Sequence, residues 1–209
     1  MDADASRPRM ARRFSLLDGM IVVGAVALWL GQRRLWWNTD EYVWSNLRYY
    51  LFEPVPWSKS RLDAVLGMSL PLTTPMMISA TLLTLAFRLR KPRPRWRRLA
   101  SQPGLVASLV TGLALVAGYV FACALYAIRP PFQRAGFFTS PVDDMLICTF
   151  SYAWAPLAGF GVVVAWGLLA IMGRWRAEAS WIDRLGRAVG VASIALGAIG
   201  GYFAIYFFI

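Results

Sequence analysis

The chain has 209 residues, 58% of them hydrophobic, with a net charge of +11, no histidine and two cysteines. An ordinary soluble domain is only about 45–50% apolar, and without imidazoles or a cysteine cluster neither a zinc site nor histidine-based general-base catalysis can be assembled. Such a basic soluble chain would suggest nucleic acid, but here the cations are sorted by loop, which is a membrane-topology signal.

Five apolar stretches are expected to span the bilayer, at about 14–31, 64–87, 103–128, 145–172 and 188–209, and Asp18 is the one formal charge inside them. At 1.5 Å per residue the shortest reaches roughly 27 Å, against a hydrocarbon core of about 30 Å. Lys and Arg number four before Phe14, seven in 88–98 and four in 174–187, against five in 33–61 and two in 129–134. Short loops rich in Lys and Arg stay on the cytoplasmic side. The expectation is an all-α, five-span integral protein of the cell (inner) membrane, its N-terminus cytoplasmic and its C-terminus extracytoplasmic.

Residues 1–13 carry Asp2, Asp4, Arg7, Pro8, Arg9, Arg12 and Arg13 and read as a polar cytoplasmic tail that helps orient the chain, ahead of a single five-helix domain over 14–209. Arg12-Arg13-Phe14 also has the look of an export signal, but Trp29 and Leu30 prolong the apolar run beyond the small residues where such a signal would be cut. The loop after the first span holds Trp36, Trp37, Trp44, Tyr49, Tyr50 and Trp57, an aromatic belt for the headgroup zone. Asn38 as N-cap with Glu41 at N3 predicts a short outer interfacial helix between spans 1 and 2, ended by Pro54 and Pro56. The functional alternative for this belt is a site for a quinone, pigment or lipid tail.

Pro71 and Pro75 in the second span should kink it, with the hydroxyls of Thr73, Thr74, Ser79, Thr81 and Thr84 available to carbonyls freed by proline. The basic loop that follows offers Arg88, Arg90, Lys91, Arg93, Arg95, Trp96, Arg97 and Arg98 to anionic lipids at the inner face, at about 1 kcal/mol per nearby cation. Small residues recur in the third span (Ser108, Gly112, Ala114, Gly118, Ala122) and the fifth (Gly186, Gly190, Ser193, Gly197, Gly201), forming strips for close packing within the bundle or against a partner. Pro156 should kink the fourth span, and Trp175 and Trp181 mark the inner interface in the last basic loop.

Asp18, Asp63, Asp143 and Asp183 each lie three residues after a serine (Ser15, Ser60, Ser140, Ser180), so each is expected to start a helix as part of a capping box rather than to act in a relay. Asp143 beside Asp144 could also hold a cation or proton at the outer mouth. Cys123 and Cys148 sit at comparable depths on neighbouring spans, within the reach of a disulfide, although two packing thiols are the plainer expectation. No phosphate-loop, nucleophile-elbow, zinc-protease or C-x-x-C pattern occurs, and Lys59 and Lys91 are the only lysines that could activate a serine. The chain is therefore expected to be non-enzymatic and free of cofactor or metal, contacting the bilayer and other membrane subunits but not nucleic acid. An accessory or scaffold subunit is the first expectation. A small transporter or channel with kinked spans 2 and 4 is the second, and an enzyme acting on lipid headgroups through Arg129, Arg134, Asp143 and Asp144 is the third.

Overall fold

The structure, a computed structural model, describes residues 16–35, 58–90, 100–128, 143–176 and 180–208, together with 45, 47–49, 51–52 and 178. It is all-helical among these residues, with α1 at Leu16–Leu35, α2 at Lys59–Leu89, α3 at Pro103–Ile128, α4 at Asp143–Ile171 and α5 at Trp181–Phe208. Four of the helices, α2 to α5, are long and apolar enough to cross a membrane, whereas the apolar part of α1, Asp18–Gln32, is shorter. Between α1 and α2, residues 45, 47–49 and 51–52 are helical where the outer helix was expected, and Tyr49 and Phe52 are exposed. Trp36, Trp37, Trp44, Tyr50 and Trp57 lie outside the described residues.

Helices α3, α4 and α5 form the closest-packed trio; α2 lies against them and α1 rests on α2. Contacts at the helix ends set the directions. The end of α2 (Arg88) and the starts of α3 (Gly104) and α5 (Asp183) meet at one end of the bundle, and Gly67 of α2 meets Phe203 of α5 toward the other. Trp166, late in α4, donates to the Pro103 carbonyl at 3.0 Å, and Asp18 of α1 pairs with Arg90 just after α2. The five helices therefore alternate in direction.

Most of the small-residue strips are spent inside the bundle. A Cβ on Gly159 would fall 2.8 Å from the Gly197 Cα, one on Gly118 would lie 2.7 Å from the Trp154 Cβ, and one on Gly190 would strike Trp166 and Ala107. Lipid supplies no hydrophobic drive between helices, so such backbone approach is what holds spanning helices together. Gly24, Gly167 and Gly201 face open space. Trp154, which is fully buried, shares one apolar core with Leu70, Met77, Ala114, Leu115, Phe150 and Leu196.

Both proline-bearing helices run unbroken through their prolines. Pro71 cannot donate to the carbonyl of Gly67 four residues earlier, and the Tyr152 hydroxyl donates to that carbonyl instead, at 3.2 Å. Thr74 donates to the Leu70 carbonyl at 2.7 Å, lies 3.3 Å from the Ser151 hydroxyl and accepts from the Trp154 indole at 3.0 Å. Thr111 and Ser193 pair at 2.8 Å across α3 and α5. Tyr152→Phe should therefore cost about 1–3 kcal/mol, the penalty of an orphaned buried carbonyl. In a Pro71→Ala background, where a backbone N–H is restored, the cost should fall below 1 kcal/mol, as read by a double-mutant cycle of thermal unfolding in detergent.

Candidate functional site

The chemistry-bearing side chains that the fold brings together lie at the end of the bundle where α2 finishes and α3 and α5 begin. Arg88 arrives there because it continues the buried stripe of α2: Leu70, Thr74, Met77, Thr81, Thr84 and Arg88 recur at alternating spacings of four and three, and all are buried. Arg88, expected to face anionic lipid, is only 7% exposed. Its guanidinium instead donates to Glu178 at 3.0 Å and to the Ser180 hydroxyl at 3.2 Å, and lies 3.4 Å from Asp183. The correction has a simple cause: a cation on the core-facing stripe of a helix is carried inward with that stripe. Arg90 is likewise drawn into an ion pair, with Asp18. Lys91, Arg93, Arg95, Trp96, Arg97 and Arg98 lie outside the described residues.

Asp183 is the centre of the cluster and is completely buried. Half of its expected capping box is present, since its N–H donates to Ser180 Oγ at 3.3 Å. Its carboxylate turns elsewhere. Oδ1 accepts from the Gly104 N–H at 3.2 Å and faces Arg88; Oδ2 accepts from the Glu178 N–H at 3.2 Å and lies 3.3 Å from Arg187 Nε. The Gly104 N–H is one of the first-turn donors that a helix leaves without an internal partner, and the positive ends of α3 and α5 both meet the carboxylate. Pro103 occupies the first position of α3, where its missing N–H costs nothing, while the Gln102 carbonyl accepts the first bond from Val106 at 3.1 Å. Gly104 permits the approach: a Cβ there would lie 2.5 Å from the Asp183 carbonyl oxygen. Gly186 is pressed equally against the Gly104 backbone.

The segment between α4 and α5 is clasped over this centre. Glu178 takes Gln102 on one oxygen and Arg88 on the other, and the Arg176 N–H donates to the Ser101 carbonyl at 3.0 Å. Trp175 meets Trp166 edge-on at 5.6 Å and Trp181 meets Phe87 edge-on at 5.0 Å. Two arginines and two acids thus cancel in charge, and both Asp183 oxygens have an N–H donor and a cation. That arrangement locks helices; it leaves no vacant donor or acceptor on Asp183 for a substrate.

The chain matches no protein-family model, no curated protein and no solved structure.

The other expected positions are scattered. Ser60 is not the cap of α2: Ser58 has the extended backbone a cap needs and accepts from the Arg61 N–H at 3.3 Å, so the helix starts two residues sooner. Asp63 then accepts from the Tyr202 hydroxyl at 3.1 Å, tying α2 to α5 at the opposite end from the cluster. Cys123 is half-buried and takes part in no disulfide among the described residues. The side chains of Cys148, Asp143 and Asp144, and residues 129–142, lie outside the described residues, and with them the alternatives of a Cys123–Cys148 disulfide and a cation-holding acidic pair. Sequence reasoning missed the Arg88–Asp183 pairing. The seven-residue period through Leu70, Met77 and Thr84, with Thr74, Thr81 and Arg88 four residues on, was the available signal.

Proposed function

We propose that the protein is a non-enzymatic, five-span membrane protein that serves as a scaffold or accessory subunit, with its N-terminus and ion cluster on the cytoplasmic side and its C-terminus outside. The observation that carries the reading is the mutual pairing of the charges gathered at this end of the bundle. Arg88, Arg187, Asp183 and Glu178 neutralise one another at the helix ends, and Asp18 takes Arg90 beside them. A transport pathway or a catalytic centre keeps ionisable groups at membrane depth and open to a ligand, whereas these groups are spent on joining α1, α2, α3 and α5. The excess of Lys and Arg in the loops at this end supports the orientation.

The transporter reading rests on proline kinks in spans 2 and 4 and the hydroxyls beside them, and a cation site there would need unwound backbone with free carbonyls. Continuous α2 and α4, and the Gly67 carbonyl bonded to Tyr152, favour the scaffold. Purified protein in liposomes should pass neither protons nor a panel of ions and small solutes faster than protein-free liposomes; flux that rises with the amount of protein would overturn the reading. For orientation, in a Cys123→Ser, Cys148→Ser background, Ser45→Cys should react with a membrane-impermeant maleimide in intact cells, and Arg174→Cys only after permeabilisation. The reverse pattern would refute the assigned sidedness.

A further inference from the structure

We infer that the cytoplasmic rim formed by the α4–α5 connection and the first turn of α5 is a binding surface for acidic phospholipids, built from Arg174, Arg176 and Arg184 with Trp175 and Trp181. This rests on the membrane orientation proposed above and replaces Arg88 and Arg90 as lipid contacts.

The cations at this end divide into two sets. Arg88, Arg90 and Arg187 are paired with acids, and among the described residues the acids there, Asp18, Glu178 and Asp183, are all engaged in those pairs. Arg174, Arg176 and Arg184 are exposed and face no carboxylate among the described residues. The internal pairing therefore leaves three guanidiniums uncompensated on a single short stretch of chain.

Their presentation is held by the same clasp. The Arg176 N–H is tied to Ser101 and Trp175 to Trp166, so this segment lies along the bundle end with its cations outward. Trp181 and Arg184, three residues apart, share the exposed face of the first turn of α5. Each tryptophan has one side against the protein and remains about half open, Trp175 at 41% and Trp181 at 51%. A ring partly open beside the charged zone, with its indole N–H available, is the arrangement that places tryptophan at headgroup depth. Guanidiniums beside it meet the phosphates of the same headgroups in bidentate fashion. Charge complementarity selects lipids of net negative charge over zwitterionic ones, whose phosphate is offset by their own ammonium.

The test uses the full-length protein in mixed micelles of phosphatidylglycerol and phosphatidylcholine, with retained lipids counted by native mass spectrometry. Wild type should retain phosphatidylglycerol preferentially. Arg174→Gln, Arg176→Gln and Arg184→Gln should each lower that preference by about fivefold, the equivalent of about 1 kcal/mol per surface cation, and the triple variant should abolish it. Arg34→Gln with Arg48→Gln, which removes two exposed cations, one in the last turn of α1 and one between α1 and α2, should leave the preference intact. The triple variant spares the Arg88–Asp183 lock, so its melting temperature in phosphatidylcholine alone should equal that of wild type. Unchanged preference in the triple variant overturns the proposal, as does an equal loss in the Arg34, Arg48 control. Displacement of the lipid by excess inorganic phosphate would also overturn it, by identifying a soluble anion as the occupant. Impermeant labelling reads the orientation independently, so failure of the lipid surface and failure of the sidedness are distinguishable.

Discussion

Asp183→Ala is expected to be the most damaging single substitution in the protein, costing about 3–5 kcal/mol, the range for breaking a buried ion pair from one side. The carboxylate is fully buried, and its removal strands several groups at once. Arg88 loses one of its two acids, Arg187 loses its only acid among the described residues, and the N–H groups of Gly104 and Glu178 lose their acceptor. Asp183→Asn keeps the shape but exchanges one acceptor oxygen for a donor that faces other donors, so it should also destabilise, by about 1–3 kcal/mol. Arg88→Met should cost less than Asp183→Ala, because Asp183 would keep Arg187 and both N–H donors. The measurement is reversible unfolding in mild detergent. If Asp183→Ala lies within 1 kcal/mol of wild type, the cluster is not the lock described here.

The second large effect is expected where backbones touch. Gly159→Ala and Gly197→Ala should each destabilise by about 1–3 kcal/mol, the usual cost of forcing an extra methyl into a packed interior. Each new Cβ would meet backbone that cannot swing aside: Gly159 faces the Gly197 Cα at 2.8 Å and the Ser193 carbonyl at 2.9 Å, while Gly197 faces the Gly159 Cα at 2.7 Å. Alanine is the better helix former by about 1 kcal/mol, so two effects of opposite sign compete, and contact with rigid backbone decides for destabilisation. Where no contact exists the same substitution should change sign. Gly24→Ala and Gly167→Ala, with nothing within 4 Å of the new atom, should be neutral or stabilising by up to about 1 kcal/mol. A set of variants in which buried and open glycines respond alike would show that α4 and α5 do not pack through this seam.

The contrast between these glycines shows where sequence reading stops. A four-residue spacing of small residues marks a helix that can be approached closely, and the strip on α5 was recognisable from that alone. The spacing does not say by what. Gly186, Gly190 and Gly197 turn out to be used within the bundle, while Gly201, which continues the same strip, meets nothing. Asp183 is similar: Ser180 three residues before it announces a helix start, and the Ser180 hydroxyl does accept its N–H. That a carboxylate at a helix start would also receive α3 and Arg88 depends on residues some eighty and ninety-five positions away in the chain, and no local pattern carries that information. Tyr152 and Gly67 illustrate a middle case, because Pro71 names the orphaned carbonyl but not the donor that reaches it.

The helical character, the approximate extents of the long apolar helices and the clustering of cations in particular loops are legible in the sequence, because each follows from local properties, apolar run length and charge. Which charges are spent inside is set by the packing of the helices. Arg88 and Arg174 both open basic loops at the ends of apolar runs, and local sequence assigns them the same role. Arg88 lies on the buried stripe of α2 and is neutralised by Glu178 and Asp183, while Arg174, beyond the end of α4, stays exposed. The physical reason is that the cost of a charge depends on what surrounds it in three dimensions. A guanidinium carried into the bundle persists only where opposing carboxylates are brought to meet it.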